Sequence, residues 1–304
     1  MSEPTVVIHG GAGRALTDEA RDAAVRKALA EILDQCWTSA CRGDSALEIV
    51  EGGCRALEDS PHFNAGLGSA IQGDGQVRMS ASVMDGQRRA FSGVINVERV
   101  QNPVSMASHL QSCRDRVLDG SGGRLLAREM GLPVFDPVVE RRLREWFREM
   151  KKSRASDQAA VAGCDEGEDL TDRGMGTVGV VVRDLKGRLA AGTSTGGRGF
   201  ERIGRVSDSA TVAGNYATEW AAISCTGIGE DIADEALAAR IAVLVEAGRA
   251  LPEVMQEVFE GGARRSRRFA AIAVDRQGQM AWGKTTELLL AVCRGTDGEQ
   301  RWAF

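Results

Sequence analysis

Histidine is scarce in this chain, with only three among 304 residues, at positions 9, 62 and 109. None of the three lies near a Gly-x-Ser-x-Gly sequence, so a Ser-His-Asp hydrolase is poorly supported. The chain also lacks a His-Glu-x-x-His sequence and any paired histidine and carboxylate spacing typical of a catalytic metal site. Hydrolytic chemistry in this chain therefore needs a base of another kind.

The seven cysteines form an odd, scattered set without any Cys-x-x-Cys pair. Disulfide frameworks and zinc sites normally need paired, regularly spaced cysteines, so free thiols in a reducing compartment are expected. The first residues lead directly into an apolar strand, without a basic segment or a cleavage site, so no signal peptide is expected. These absences predict a cytoplasmic protein.

Two classes of partner are also disfavoured by what the chain lacks. The net charge is −5 at pH 7, without the basic excess that nucleic-acid-binding proteins normally carry. No apolar run reaches the roughly 20 residues that a helix needs to span a bilayer. The composition therefore favours a compact protein that binds neither nucleic acid nor membrane.

Strands and helices are predicted in both halves of the chain. Apolar patterns predict helices over 18–43, 46–57, 137–152, 231–247 and 252–259, with another beginning at Asn102-Pro103. They predict strands over 6–8, 77–84 and 90–97, and hairpins that join 177–183 to 188–195 and 267–274 to 279–283. Asp44 is the expected cap of the second helix. Because strand and helix do not alternate strictly, antiparallel sheets covered by helices are favoured.

The most informative feature is the step from Gly176 to Thr177. The threonine stands between small residues at the beginning of an apolar, β-rich run, 178–182. The preceding stretch, 153–173, is polar, and structureless segments of about 20 residues are unusual inside a compact domain. This stretch is either a surface loop or the tail left after the chain is cut. We predict that the chain cleaves itself before Thr177.

Cleavage before Thr177 would create a nucleophile and its base in one residue. A free α-amine has an unperturbed pKa of about 7.7–8.0, which suits a general base near neutral pH. The β-branched side chain restricts χ1 and so holds the hydroxyl in place. Such a residue needs no histidine, in keeping with the scarcity of that side chain.

Three glycine-rich stretches follow predicted strands. Residues 9–13 lack the Gly-x-Gly-x-x-Gly order and the acidic partner of a dinucleotide loop, so a nucleotide site is disfavoured. Residues 193–197 and 225–229 each end a β-like run with hydroxyl side chains followed by glycines. They are either two tight turns or two strand ends that present hydroxyls and backbone N–H groups to one pocket.

Six segments carry a family resemblance, namely 9–13, 63–68, 176–179, 193–197, 204–209 and 225–230. In this order they resemble the isoaspartyl peptidase and plant-type L-asparaginase family of N-terminal nucleophile hydrolases. The resemblance implies an α+β fold, a four-layer αββα sandwich. It also implies a single-domain precursor, 1–304, cut into an α subunit, 1–176, with a flexible tail, 153–176, and a β subunit, 177–304. Two processed αβ units would form a homodimer.

The resemblance assigns roles to the catalytic residues. Thr177 is the nucleophile, and Thr195 corresponds to a second threonine that hydrogen-bonds and steadies it. Thr226 and the backbone N–H of Gly227 correspond to an oxyanion hole, in which loss of one donor typically costs roughly a hundredfold in rate. Asn64 corresponds to a residue close to the nucleophile that helps to order the site. A simple turn residue is the alternative interpretation of Asn64.

Arg205 and Asp208 correspond to the substrate clamp of this family. An arginine fork binds an α-carboxylate by two charge-assisted hydrogen bonds, and a carboxylate three residues on suits an α-ammonium group. Gly227 and Gly229 correspond to positions where backbone approaches the substrate. The implied substrates are small molecules, β-aspartyl dipeptides and L-asparagine, whose hydrolysis releases L-aspartate. Without the other motifs, a surface ion pair would be the preferred interpretation of Arg205 and Asp208.

The resemblance implies no cofactor for catalysis but a structural sodium ion in the loop 57–67. Backbone carbonyls would coordinate this ion, and such ligands leave almost no side-chain signature. The implied ligands are the carbonyl oxygens of Leu57, Glu58, Ser60, Phe63, Ala65 and Leu67.

Several positions depart from the family pattern. Ser207 replaces the usual glycine between the two clamp residues, where a side chain would crowd the pocket or forbid a positive φ angle. Glu201 lies near the clamp in sequence, and its charge leads to the hypothesis of a cationic leaving residue such as arginine or lysine. The basic run 264–268 replaces a glycine pair and is expected to be a solvated helix end.

Two other functions stay open from the sequence. A glycosylasparaginase shares the mechanism, although residues 193–197 resemble the asparaginase branch better. An inactive relative that acts as a binding protein is the alternative if Ser207 blocks the clamp.

Overall fold

The computed structural model describes residues 3–156 and 176–303. Most of the predicted tail, 153–176, therefore lies outside the described residues. Within the two described ranges, no helix is both long and apolar enough to cross a membrane.

Helices and strands occur in both halves of the chain, as predicted. The helices are α1 (Glu19–Arg42), α2 (Ala46–Asp59), α3 (Pro103–His109), α4 (Gly120–Glu129), α5 (Glu140–Ser156), α6 (Gly229–Asp234), α7 (Leu237–Glu246) and α8 (Leu251–Arg264). The strands of the first half are β1 (Thr5–Gly13), β2 (Met79–Asp85), β3 (Ala90–Val97) and β4 (Val117–Leu118). Those of the second half are β5 (Val178–Arg183), β6 (Leu189–Thr195), β7 (Asn215–Ala217), β8 (Ala221–Gly227), β9 (Phe269–Asp275), β10 (Met280–Lys284), β11 (Leu288–Arg294) and β12 (Gln300–Ala303).

The described strands form two sheets. One has eight strands in the order β12-β11-β1-β5-β6-β2-β3-β4, and the other has four in the order β10-β9-β8-β7. Neighbouring strands run antiparallel, apart from the short parallel pair β3 and β4. The predicted antiparallel pairing is confirmed, and so are both predicted hairpins, β5 with β6 and β9 with β10.

Alternation along β5 explains how the larger sheet packs on both faces. Val180 belongs to an apolar cluster with helix residues such as Leu33 and Ile49. The next residue, Val181, belongs to a second cluster that includes Ile272 of the four-stranded sheet. Successive side chains of a strand point to opposite faces, so each face of the larger sheet is covered. A third cluster joins the other face of the four-stranded sheet to α6, α7 and α8.

Local sequence signals explain most helix ends. Asp18 caps α1 by accepting a hydrogen bond from the Arg21 backbone, and Gly43 ends that helix with a φ of 96°. The predicted cap of α2 is wrong, because Ser45 caps it in a reciprocal capping box with Glu48. Asp44 instead forms an ion pair with the Arg42 side chain.

Several predicted elements differ in extent from the observed ones, and two of the differences have a clear local origin. The predicted helix 231–247 is two helices, α6 and α7, because Ala236 adopts a left-handed conformation with a φ of 46°. The predicted strand 6–8 continues through the glycine-rich stretch as β1, with a pairing irregularity between His9 and Ala12. The basic run 264–268 lies at the end of α8, where Arg265 pairs with Glu235.

Candidate active site

Thr177 lies immediately before β5, a strand in the middle of the eight-stranded sheet. Val178 pairs with Ser194 in the antiparallel ladder of β5 and β6, so the register brings Thr177 next to Thr195. Both threonines are buried, and both line one cavity. Thr177 is therefore held by the sheet itself rather than by a surface loop.

The cavity collects most of the residues that the sequence singled out. Its lining includes Asn64, Gly176, Thr177, Thr195, Arg205, Asp208, Gly227 and Gly229. The ends of β6 and β8 both reach it, through Thr195 and Gly227. Both stretches, 193–197 and 225–229, therefore end at one pocket, to which Thr195 presents its hydroxyl, although Thr226 is not among the lining residues.

The backbone before Thr177 is tightly enclosed by the irregular part of β1. Gly11 has a φ of 121°, and a Cβ at this position would lie 2.4 Å from the Gly176 nitrogen. Only glycine fits such an approach. A Cβ built on Gly176 would lie 3.0 Å from Thr226 Oγ1, a buried hydroxyl without a hydrogen-bond partner among the described residues. Thr226 thus presents an unused hydroxyl beside the Gly176-Thr177 step.

The hydroxyl of Thr177 has a different partner from the one expected. Its Oγ1 lies 3.4 Å from Ser209 Oγ, whereas Thr195 Oγ1 accepts a hydrogen bond of 3.1 Å from the Gly197 backbone. No hydrogen bond between Thr177 and Thr195 occurs in the described residues. Sequence reasoning missed Ser209, although the residue lies in the segment 204–209 that carried the family resemblance.

Asn64 joins the two loops that flank Thr177. Its Nδ2 donates to the Gly197 carbonyl at 2.6 Å, and its Oδ1 accepts from the Ala70 backbone at 2.8 Å. Its own carbonyl accepts from the Gly196 backbone at 2.8 Å. Asn64 therefore orders the loop after β6, and it also lines the cavity.

A buried polar network lies next to Thr177. His9 Nε2 is 2.9 Å from Ser224 Oγ, which is 2.7 Å from Thr193 Oγ1. Burial lowers the pKa of His9 to about 3, and a smaller contribution from the Thr177 backbone opposes this shift. The imidazole is therefore neutral at pH 7. Gly179 packs against the network so closely that a Cβ there would lie 1.9 Å from Ser224 Oγ.

The clamp residues lie together at the cavity, and Asp208 is almost completely buried. Desolvation raises the pKa of Asp208 to about 6, although the Arg205 charge lowers it. One carboxylate oxygen, Oδ2, has no hydrogen-bond partner among the described residues. A Cβ at Gly214 would lie 2.6 Å from this oxygen, whereas a Cβ at the cavity-lining Gly229 would lie 2.6 Å from Oδ1.

Arg205 is held by two carboxylates. Glu230 accepts from its Nε at 2.8 Å and from its Nη2 at 3.1 Å, and Glu201 accepts from its Nη1 at 3.1 Å. The Glu201 side chain is only 3% exposed and also accepts from Gln72 Nε2. This geometry contradicts the hypothesis that Glu201 faces a cationic leaving residue, because its buried carboxylate already accepts hydrogen bonds from Arg205 and Gln72.

The backbone conformation of Ser207 does not obstruct the clamp residues Arg205 and Asp208. Its φ is −74° and its ψ is 148°, an extended conformation that any residue adopts, so the expected conflict with a positive φ is wrong. The residue begins the short 3-10 helix Asp208–Ala210 and lines the cavity. Ser207 Oγ lies 3.2 Å from Asp208 Oδ1.

Part of the cavity wall comes from α5, which sequence reasoning did not connect with the site. Arg142, Glu145 and Trp146 line the cavity. Arg142 is buried, its Nε donates to the Gly68 carbonyl at 2.6 Å, and its Nη1 pairs with Glu145 at 3.0 Å. Burial lowers the pKa of Arg142 to about 10. The apolar pattern predicted a helix over 137–152, but nothing local shows which residues this helix meets.

The loop 57–67 turns sharply after α2. Gly66 and Gly68 have φ angles of 50° and 96°, and a Cβ at Gly68 would lie 2.8 Å from the Pro61 carbonyl oxygen. The Glu58 carbonyl accepts a hydrogen bond from the Leu67 backbone at 2.7 Å. Each carbonyl oxygen has a second lone pair, so this bond leaves room for a cation. No cluster of three or more His, Cys, Asp or Glu side chains that could hold a metal occurs within 3–156 and 176–303.

Comparison with known proteins agrees with the geometry. A sequence model of the family described as "Asparaginase" matches residues 2–303. The chain belongs to the asparaginase family. A relative in Nostoc sp. named isoaspartyl peptidase/L-asparaginase is 49% identical over 98% of this chain and 93% of its own length. A relative of the same name in Synechocystis sp. is 48% identical over 95% of this chain and 87% of its own.

More distant relatives of the asparaginase family come from other kinds of organism. A mouse protein named isoaspartyl peptidase/L-asparaginase is 35% identical over 83% of this chain and 75% of its own length. A plant-type L-asparaginase of Pyrococcus abyssi is 34% identical over 93% of both chains. The resemblance inferred from six short segments is thus confirmed at the level of the family.

Proposed function

We propose that this protein is an autoprocessing threonine amidohydrolase that cleaves the side-chain amide of β-aspartyl dipeptides and L-asparagine, with release of L-aspartate. One observation carries the proposal. Thr177, which directly follows Gly176 in the chain, lines the same cavity as the clamp residues Arg205 and Asp208. Two relatives at nearly half identity carry the name isoaspartyl peptidase/L-asparaginase, which agrees with this reading.

Maturation begins with attack of the Thr177 hydroxyl on the Gly176 carbonyl. The peptide C–N bond breaks as an ester forms to Thr177 Oγ1, and the nitrogen becomes the free α-amine. Water then hydrolyses the ester and leaves a carboxylate on Gly176. The unpartnered Thr226 hydroxyl beside this step and the close approach of Gly11 support the reading, because developing negative charge needs nearby donors.

The mature protein consists of an α subunit, 1–176, and a β subunit, 177–304, that form one domain. Its layers follow an αββα order, supported by one apolar cluster between the two sheets and one between each sheet and its helices. Two such αβ units form a homodimer, as the family resemblance implies.

Turnover uses the new amine of Thr177 as the base. The amine takes the hydroxyl proton as Oγ1 attacks the side-chain amide carbonyl, and the same proton is passed to the departing nitrogen. Thr226 and the Gly227 backbone N–H stabilise the oxyanion. Water hydrolyses the β-aspartyl ester on Thr177. Thr195 supports the turn at Gly197 beside the nucleophile.

The clamp selects substrates with a free amino-acid head. Arg205 binds the α-carboxylate, and the Asp208 carboxylate binds the α-ammonium, since both residues line the cavity. Gly229 keeps this corner open, since a Cβ there would lie 2.5 Å from Arg205 Nη2 and 2.6 Å from Asp208 Oδ1. An α-linked aspartyl peptide has its α-carboxyl group in the peptide bond. It therefore cannot present a free α-carboxylate to Arg205 together with a scissile side-chain amide, and it is not a substrate.

A structural sodium ion in the loop 57–67 completes the proposal, and catalysis needs no cofactor. The carbonyl oxygens of Leu57, Glu58, Ser60, Phe63, Ala65 and Leu67 would hold it. Hard oxygen ligands suit such a cation, and the sharp turns at Gly66 and Gly68 crowd carbonyls together. The ion would stiffen the loop that carries Asn64. A higher melting temperature in sodium chloride than in choline chloride of equal ionic strength is the expected result.

The proposed function is tested by comparing the wild type with Thr177→Ala. The wild type is expected to give two chains on a denaturing gel, with one beginning at Thr177 by mass spectrometry, and to hydrolyse L-asparagine and β-aspartyl-leucine but not α-aspartyl-leucine. Thr177→Ala is expected to stay intact and inactive. An intact, inactive wild type would favour a binding protein instead, and full activity in Thr177→Ala would reject Thr177 as the nucleophile.

A further inference from the structure

A chain of side-chain oxygens connects the substrate clamp to the nucleophile. Asp208 Oδ1 lies 3.2 Å from Ser207 Oγ, Ser207 Oγ lies 3.3 Å from Ser209 Oγ, and Ser209 Oγ lies 3.4 Å from Thr177 Oγ1. All four residues are buried. The three steps therefore run through a site from which most water is excluded.

The Asp208 carboxylate determines where the Ser207 hydroxyl proton points. An ionised Asp208 is only an acceptor, so Ser207 spends its single hydroxyl proton on Oδ1. The same hydroxyl can also donate to Ser209 Oγ, so an ionised Asp208 competes with Ser209 for the Ser207 proton. When that proton is held on Oδ1, Ser209 Oγ is free to accept from the Thr177 hydroxyl. A hydrogen bond from Thr177 to Ser209 fixes the rotamer of the nucleophile.

The backbone around Ser207 keeps this hydroxyl in place. Ser207 is the N-cap of the 3-10 helix Asp208–Ala210, and its Oγ also accepts from the Ser209 backbone at 3.3 Å. The Ser209 carbonyl accepts from Ser82 Oγ at 2.5 Å, which anchors the turn to β2. Ser207 is therefore preorganised for the contact with Asp208. A glycine at this position, which the family pattern favours, would remove the middle link.

We propose that Ser207 is a positioning residue that couples the ammonium-binding carboxylate of Asp208 to the orientation of the Thr177 hydroxyl through Ser209. The inference rests on the proposed function, because it assigns Asp208 to the substrate and Thr177 to the chemistry. A substrate ammonium bound by Asp208 keeps the carboxylate ionised and so keeps the Ser207 proton on Oδ1. The nucleophile is then best ordered when the clamp is filled.

Several charges and titratable groups surround Asp208. Arg205 lowers its pKa, whereas Glu230 at the beginning of α6 raises it. The Cys225 thiol of β8 also faces it, but burial raises the pKa of that thiol well above its usual range, so it stays neutral. The hydrogen bond from Ser207 lowers the pKa of Asp208. Removing the Ser207 hydroxyl therefore moves the protonation of Asp208 to higher pH.

Ser207→Ala and Ser207→Thr test the coupling in the full-length, processed protein with L-asparagine as the substrate. Ser207→Ala is expected to lower kcat by about tenfold, the scale of one hydrogen bond to a charged group, and to move the Asp208 limb of kcat/KM to higher pH. Ser207→Thr, which keeps the hydroxyl, is expected to restore both. Ser105→Ala removes a buried hydroxyl without a described partner on α3 and serves as the matched control with wild-type kinetics.

Each outcome separates the coupling from the proposed function. An active wild type whose kcat and Asp208 limb are unchanged in Ser207→Ala would overturn the coupling and leave the proposed function intact. Equal losses in Ser207→Ala and Ser207→Thr would also overturn it, because the effect would then follow packing rather than the hydroxyl. An inactive wild type, or an active Thr177→Ala, would reject the proposed function and the coupling with it.

Discussion

The Asp208 carboxyl is the residue whose charge state matters most for the proposed reaction. Burial raises its pKa to about 6, and it must be ionised to bind an α-ammonium group. As the pH falls below about 6, Asp208 becomes protonated and loses its attraction for the substrate. We therefore expect kcat/KM for L-asparagine to fall toward acid pH in two steps, the first as the Thr177 amine becomes protonated and the second near pH 6 as Asp208 does.

The pH profile of Asp208→Asn checks this assignment. The amide cannot ionise, so the variant is expected to have low kcat/KM at every pH and no limb near pH 6. Asp297→Asn, which changes an exposed carboxyl of an ion pair with Arg301, should keep the wild-type profile. A limb that stays near pH 6 in Asp208→Asn would assign that titration to another group.

At the scale of single residues, the local sequence identified the residues that line the site more reliably than it identified the contacts that they make. Thr177, Thr195 and Asp208 all line the cavity as predicted, since small motifs at strand ends mark them. The partner of Thr177 is Ser209 rather than Thr195, and this choice depends on a turn between 204 and 211 that no local pattern specifies. Glu201 was expected at the substrate and instead supports Arg205.

At the scale of elements, α2 offers a matched pair of adjacent glycines. Gly52 is exposed, and a Cβ there would meet nothing within 4 Å, whereas a Cβ at Gly53 would lie 2.7 Å from Cys36 Sγ and 3.1 Å from Val180 Cγ2. Gly53 therefore allows α2 to approach α1 and β5 closely. Both positions lie inside the helix, so their helix propensities are comparable.

Gly52→Ala and Gly53→Ala are expected to change stability in opposite directions. Gly52→Ala should stabilise the protein by about 0.5–1 kcal/mol, because alanine loses less backbone entropy in a helix. Gly53→Ala should destabilise it by about 1–3 kcal/mol, because the added methyl overpacks a close contact. Melting temperatures of the two variants beside the wild type measure both effects. Similar shifts in the two variants would contradict the packing argument.

The elements that sequence predicted best are those with a clear period and local end signals. α1 begins after Asp18 and ends before Gly43 as expected, because both residues act on their own helix. The split between α6 and α7 was missed, since Ala236 carries no sequence signal for a left-handed conformation. β7, β11 and β12 were missed as well, because short strands depend on the neighbours with which they pair.

At the scale of the whole molecule, the two sides of the proposed cut are interleaved. β1, which precedes Thr177 in the chain, pairs with β5 on one side and β11 on the other. β2 likewise pairs with β6 across the cut. The backbone hydrogen bonds of the larger sheet and the apolar cluster beneath it thus join both products, so cleavage alone cannot release either chain.

Processed wild-type protein is therefore expected to elute as one species in native size-exclusion chromatography and to separate into two chains only in denaturant. Thr177→Ala, uncut, should elute at the same volume and remain one chain under both conditions. Separation of the two chains without denaturant would contradict the interleaved sheet. Such a result would leave the cleavage site itself unaffected.

The sequence by itself determined the α+β character, both hairpins, the extent of α1 and the Gly176-Thr177 step, because periodicity and small motifs act within a few residues. Only the tertiary structure decided that Ser209 meets Thr177, that Glu201 supports Arg205 and that Arg142 of α5 walls the cavity. These contacts join residues brought together by the folding of several loops and a helix onto the end of one sheet. Their energies depend on burial and distance, which no local pattern contains.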